Sequence, residues 1–327
     1  MPDMHAKTRT ETRDPGAGVE GHRHRPDHLA TWRRDGAVTI EGFFTPDEVA
    51  TVRADFELVF GRSGGAEEAL VKRRDGEPGR FHPAQFKTID SVPFECSPAL
   101  NLIGLHPALM AMAREALGTD DILLYQNQAW AKFTGDADYD QPFHCDFVNH
   151  TLTAPSDDAR QNSITYICFF TDVTEAHGPT HYVTWPDSDA VAGPEVTLSR
   201  DPEVQARLQR ELAARARSNA GPAGSLFVYG IDVYHRGTNL TAPGGYRYAV
   251  TSCFKRRDAA AIGFTAWPYL QEKPWALIFE HATPEQLACY GVQPPGDPFW
   301  NAVTLARAQA RYPGWDLTPY REAAAGD

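Results

Sequence analysis

Long apolar runs are missing from this 327-residue chain. A bilayer crossing needs about 18–20 consecutive apolar residues, so none is expected. Cysteine is scarce: the five at positions 96, 145, 168, 253 and 289 are odd in number and form no C-x-x-C pair. That excludes a disulfide framework and a cysteine-based zinc site, and it points to a reducing cytoplasm. Positive charge is also short, with 31 Lys and Arg against 43 Asp and Glu and a net charge of −12. A chain of this balance lacks the broad positive field that nucleic acid or an anionic membrane surface requires. The first residues contain no apolar core of a signal peptide, so none is expected. Without secretion, Asn149-His150-Thr151 and Asn239-Leu240-Thr241 are chance matches to the glycosylation pattern.

What is present is an ordinary globular composition, 42% apolar and 23% charged, and enough length for one sizeable core. Residues 1–27 are polar and rich in Gly, Pro, Arg and His, so a disordered tail is expected there. The tail contains Gly16-Ala17-Gly18-Val19-Glu20-Gly21, a formal G-x-G-x-x-G, but no strand precedes it and no helix follows, so it is not read as a dinucleotide site. Residues 28–327 read as a single domain with helical elements at both ends. Thr45-Pro46-Asp47-Glu48 is a capping box that starts a helix, and Pro107 to Leu117 is a second helix stopped by Gly118. Strands are expected over 121–133, 163–171, 181–185, 225–234 and 246–254. An inserted helix follows Asp201-Pro202, and two more follow Thr283-Pro284 and Asp297-Pro298. Helices followed by many strands predict an antiparallel barrel or sandwich.

The segment Gln141-Pro142-Phe143-His144-Cys145-Asp146 carries the strongest chemical signal. On a strand, residues two apart project from one face, so His144 and Asp146 can occupy two adjacent corners of a metal. A third imidazole would complete the 2-His-1-carboxylate set of non-haem iron(II) oxygenases. His150, His177, His181 and His235 compete for that place. His235 ends a β-rich segment, and Arg247 opens the next strand 12 residues on. A buried Arg beside a metal invites a carboxylate, because its planar fork binds one bidentately. Cys145, between the two ligands, points away from the metal.

These residues resemble the phytanoyl-CoA dioxygenase (PhyH-like) family of Fe(II)/2-oxoglutarate-dependent oxygenases. The resemblance runs over most of residues 30–256 and rests on Trp32-Arg-Arg-Asp-Gly36…Gly42-Phe-Phe-Thr-Pro-Asp-Glu48, His144-Cys-Asp146, Gly178-Pro179-Thr180, and Gly224-Ser225…His235-Arg-Gly-Thr-Asn239 followed by Arg247. It implies a mainly β protein with flanking helices, a double-stranded β-helix of the jelly-roll, cupin-like type. It implies iron held by His144, Asp146 and His235, with Arg247 on the distal carboxylate of 2-oxoglutarate. Thr180 and Gln141 would assist, and Gln126 and Gln128 on the strand facing the site would touch cosubstrate or substrate; Lys87 is a weaker candidate. O2 would be consumed, with succinate and CO2 released, to hydroxylate or otherwise oxidise a small organic molecule such as a secondary metabolite or a lipid-like compound. Asp146 stands where halogenating relatives have a small residue, which implies oxygenation or desaturation. Thr184-Trp185-Pro186-Asp187 replaces the family's usual Pro-Gly-Ser-His, so the substrate does not transfer by resemblance. Two other readings stay open: a non-catalytic metal-binding barrel, and a cupin-like metalloenzyme that does not use 2-oxoglutarate. The oligomeric state is not legible.

Overall fold

The computed structural model of the protein describes residues 23–61, 89–135, 140–151, 159–192, 197, 199–259, 262 and 273–325. The Gly16–Gly21 match and Lys87 lie outside them. Among the described residues, nine strands form two antiparallel sheets. In chain order they are β1 (Ala37–Ile40), β2 (Ile89–Ser91), β3 (Ile122–Phe133), β4 (Ser163–Phe169), β5 (Thr180–Tyr182), β6 (Arg217–Ser218), β7 (Leu226–Tyr229), β8 (His235–Gly237) and β9 (Tyr246–Arg256). The larger sheet runs β1-β7-β4-β9-β3-β2 and the smaller runs β6-β5-β8. This is the jelly-roll class expected, but the two sheets do not close into one continuous hydrogen-bonded barrel.

The large sheet divides its side chains by parity. Tyr248, Val250 and Phe254 of β9, Ile164, Tyr166 and Cys168 of β4, and Leu226 and Val228 of β7 enter the main core. There they meet the helices Pro46–Phe60 and Pro107–Leu117 and the C-terminal helices, through buried Phe56, Leu109, Ile278 and Tyr320. In β3, Ile122 and Leu124 belong to this core, and so do Ala129, Ala131 and Phe133. The switch from even to odd positions is produced by a register shift between Leu124 and Gln126. Such a bulge moves all following side chains to the other face. It turns Gln126, Gln128, Trp130 and Lys132 together towards the cavity between the sheets.

Several boundaries differ from expectation. Ordered contacts begin before residue 28: Arg23 pairs with Glu48 at 2.6 Å, His24 with Glu115 at 2.8 Å, and a helix starts at Pro26. The strand expected over 225–234 is strand only from Leu226 to Tyr229; the chain turns at Gly230–Val233, and β8 begins in the other sheet at His235. A Cβ on Gly230 would lie 2.7 Å from the Trp185 ring, so this close crossing needs glycine. The strand expected over 181–185 ends at Tyr182, and Trp185 opens a short helix with Pro186 in its first turn. The last long helix starts at Ala302, capped by the Asn301 side chain, and not after Pro298. Helices Trp275–His281 and Thr318–Ala325 were not anticipated.

Candidate metal centre

His144 and His235 face each other through a two-hydrogen-bond backbone bridge, His144 N–H to His235 O at 3.0 Å and His235 N–H to His144 O at 2.9 Å. Their rings lie 4.5 Å apart. His144 is therefore held by a single bridge and not by a regular strand, and Asp146 sits at the start of the helical turn Phe147–His150. Pro142 has no N–H to continue a ladder, which limits strand pairing here. The turn nevertheless returns the Asp146 carboxylate to the histidines: Oδ1 is 3.5 Å from His235 Nε2. One ligand atom from each of His144, Asp146 and His235 lies within 4.8 Å of the others.

The surrounding hydrogen bonds fix which atoms face inward. His144 Nδ1 bonds Pro142 O at 3.0 Å, and His235 Nδ1 bonds Val233 O at 2.9 Å. A carbonyl can only accept, so each Nδ1 carries a proton, and in a neutral ring each Nε2 then offers its lone pair to a metal. Tyr229 donates to Asp146 Oδ2 at 2.9 Å, and its ring packs 4.8 Å from His235. Burial and the neighbouring His235 push His144 down to about 4. Burial opposes ionisation of Asp146, but His235, His150, His144 and the Tyr229 hydroxyl together hold its carboxyl below the usual range. Two neutral imidazoles and a carboxylate are the donor set that borderline divalent iron accepts, with coordination positions left for other ligands.

The cluster opens into a cavity of about 300 Å³. Gln126, Gln128, Gln141, Thr180 and Arg247 all line it. The Gln141 side-chain oxygen is engaged by the Gly237 N–H at 2.7 Å, and the Gln126 amide donates to Gln128 at 2.7 Å. Thr180 is buried, and its backbone N–H is held by Asn219 at 2.8 Å. Arg247 is buried; its Nη1 donates to Gly178 O, and its Nε has no partner among the described residues. Of the competing histidines, His150 lines the cavity near Tyr125, at 3.4 Å. His177 and His181 turn instead to Thr174 at 2.9 Å and Glu175 at 3.2 Å. Cys145 is buried away from the cluster and donates to Asp232 O at 3.1 Å. Tyr229, Asn149 and Lys132 also line the cavity, unassigned from sequence. Nothing in the sequence separates Tyr229 from a core aromatic, whereas Lys132 shares the two-residue period of β3 with Gln126 and Gln128.

The sequence profile of the phytanoyl-CoA dioxygenase (PhyH) family matches residues 32–247. No curated protein matches the chain. Among solved structures, AviO1 from Streptomyces viridochromogenes Tue57 is similar at 16% identity, over 74% of this chain and 98% of that one, with a TM-score of 0.52. The non-heme alpha ketoglutarate dependent carbocyclase SnoK from nogalamycin biosynthesis is similar at 18% identity, over 71% and 84%, with a TM-score of 0.51. At these identities the likeness is one of fold.

Proposed function

The chain belongs to the phytanoyl-CoA dioxygenase family of Fe(II)/2-oxoglutarate-dependent enzymes, and from that premise we propose that it hydroxylates or otherwise oxidises a small organic molecule, with iron on His144, Asp146 and His235 and 2-oxoglutarate on Arg247. The observation that carries this reading is the convergence of two Nε2 lone pairs and one carboxylate within 4.8 Å, in a cavity that also holds a buried guanidinium. Bound iron, with O2 and 2-oxoglutarate, supplies an oxidant strong enough for an unactivated C–H bond and yields succinate and CO2. The chain's own groups position and shield. Tyr229 takes Asp146 Oδ2 and leaves Oδ1 facing His235. The backbone bridge between residues 144 and 235 sets the separation of the two imidazoles.

Polarity is graded along the cavity floor. In the pairing of β3 with β9, Lys132 opposes Arg247, Trp130 opposes Ala249, Gln128 opposes Thr251 and Gln126 opposes Cys253. The cationic end suits the dianionic cosubstrate. The amide end, with Gln126, Gln128 and Asn149 beside Ile167, suits an uncharged substrate with hydrogen-bonding groups. Asp146 supplies the metal carboxylate, which favours oxygenation or desaturation over halogenation.

The test is succinate release from 2-oxoglutarate by the iron-loaded protein across a panel of neutral small molecules. Alanine at His144, Asp146 or His235 abolishes it, and alanine at His177 or His181 does not. Arg247→Ala raises the 2-oxoglutarate requirement about 10- to 150-fold, the loss expected for a hydrogen bond to a charged group. Normal turnover in His235→Ala with loss in His177→Ala would overturn the ligand set.

A further inference from the structure

Lys132 and Arg247 are direct partners across the β3–β9 ladder. Opposed residues on antiparallel strands project from the same face, and like charges placed there repel. Both residues are nearly fully enclosed, Lys132 at 2% and Arg247 at 5% exposure. No carboxylate lies within ion-pair distance of either among the described residues. Burial, with the neighbouring Arg247 guanidinium, drives the Lys132 ammonium well below its usual pKa, and burial lowers Arg247 to about 10. An ammonium and a guanidinium buried side by side are costly unless an anion is shared between them. The arrangement becomes favourable when an anion enters between them.

The local packing keeps that space available. A Cβ on Gly237 would fall 2.8 Å from Gln141 Oε1 and 3.3 Å from Lys132 Nζ. Glycine at 237 thus leaves room for the ammonium against the backbone of β8, while Gln141 is tied to the Gly237 N–H. All four residues line the cavity that contains the metal cluster.

We propose that Lys132 is a second anchor for the cosubstrate, clamping together with Arg247 the distal carboxylate of the 2-oxo acid. The inference rests on the reading of the site as a 2-oxoglutarate site. It assigns Lys132 a binding role that Arg247 alone does not fill. A carboxylate has two oxygens, so a guanidinium and an ammonium can each take one. Lys132 then selects for a charged tail and contributes nothing to the 2-oxo acid head.

The experiment measures binding, without turnover, of 2-oxoglutarate and of 2-oxopentanoate, which has the same 2-oxo acid head and no distal carboxylate. Mn(II)-loaded protein is titrated calorimetrically in the absence of O2, as wild type and as Lys132→Met. Lys132→Met should lose at least about tenfold in affinity for 2-oxoglutarate, the minimum expected of a charge-assisted hydrogen bond. Its affinity for 2-oxopentanoate should stay within about twofold. The ligand-free variant should also melt higher than wild type, because methionine fills the space without a buried like-charge pair. Equal losses for both ligands, with a lower melting temperature, would mean that Lys132 only supports the fold. Unchanged 2-oxoglutarate binding in Lys132→Met would also overturn the proposal. If wild type binds Mn(II) but neither 2-oxo acid, the 2-oxoglutarate reading itself fails, and this inference with it.

Discussion

A single hydroxyl decides how the Asp146 carboxylate is presented. Tyr229 reaches Asp146 Oδ2 at 2.9 Å, and this bond takes one of the two carboxylate oxygens out of competition. Tyr229→Phe keeps the ring against His235 and removes only the hydroxyl. Contacts of this kind behind a metal ligand typically affect metal affinity about 10- to 100-fold. Tyr229→Phe should therefore weaken Fe(II) binding by that order in an anaerobic chelator-competition titration, with the melting temperature of the metal-free protein little altered. Unchanged affinity would show that the carboxylate needs no second partner to hold its orientation. The hydroxyl also explains part of Asp146's low pKa, together with the three histidines around it.

At the scale of elements, Glu48 joins three pieces of chain. It closes the capping box of helix Pro46–Phe60 by accepting the Thr45 N–H at 2.8 Å. It also pairs with Arg23 at 2.6 Å and with His106, the N-cap of helix Pro107–Leu117, at 3.0 Å. Burial would raise its carboxyl, but Arg23, the Thr45 N–H and His106 override that and hold it at about 2. A depressed folded-state pKa gives stability that is present above the unfolded value, about 4.3, and lost as pH falls towards 2. Glu48→Gln should accordingly cost about 1–3 kcal/mol at pH 7, and the cost should shrink between pH 4.5 and 2, as read by urea unfolding at each pH. A pH-independent difference would assign the effect to packing. The capping box itself was legible in Thr45-Pro46-Asp47-Glu48, because a cap is a local interaction. Its tie to Arg23 was not, since the partner lies 25 residues away in a segment whose composition reads as tail. The same distinction runs through the sheets. The two-residue period of β3 puts Gln126 and Gln128 on one face, towards the cavity. The end of β7 at Tyr229 and the turn that follows depend on Trp185 crossing Gly230, a tertiary contact with no local signature. His144 and Asp146 were rightly brought together, although a bridge and a turn do it in place of a strand.

For the whole molecule, the cluster of His144, Asp146 and His235 joins both layers. His235 belongs to β8 of the small sheet and bridges to His144, while Tyr229 reaches Asp146 from β7 of the large sheet. A ligand that binds only the folded arrangement stabilises it by mass action, about 2.7 kcal/mol at a hundredfold excess over Kd. Mn(II) at that excess should raise the melting temperature measurably, EDTA should reverse the gain, and His235→Ala should show none of it. A metal-independent transition in the wild type would separate the cluster from the fold's stability. The strand order has a temporal consequence as well. β9 is the last of the described strands, yet it lies between β3 and β4 in the middle of the large sheet. During synthesis the ribosome delivers every other strand first, so β3 and β4 each wait with a hydrogen-bonding edge unfilled. No nascent chain that stops short of Arg256 can complete the sheet, and Arg247 arrives with the strand that closes it.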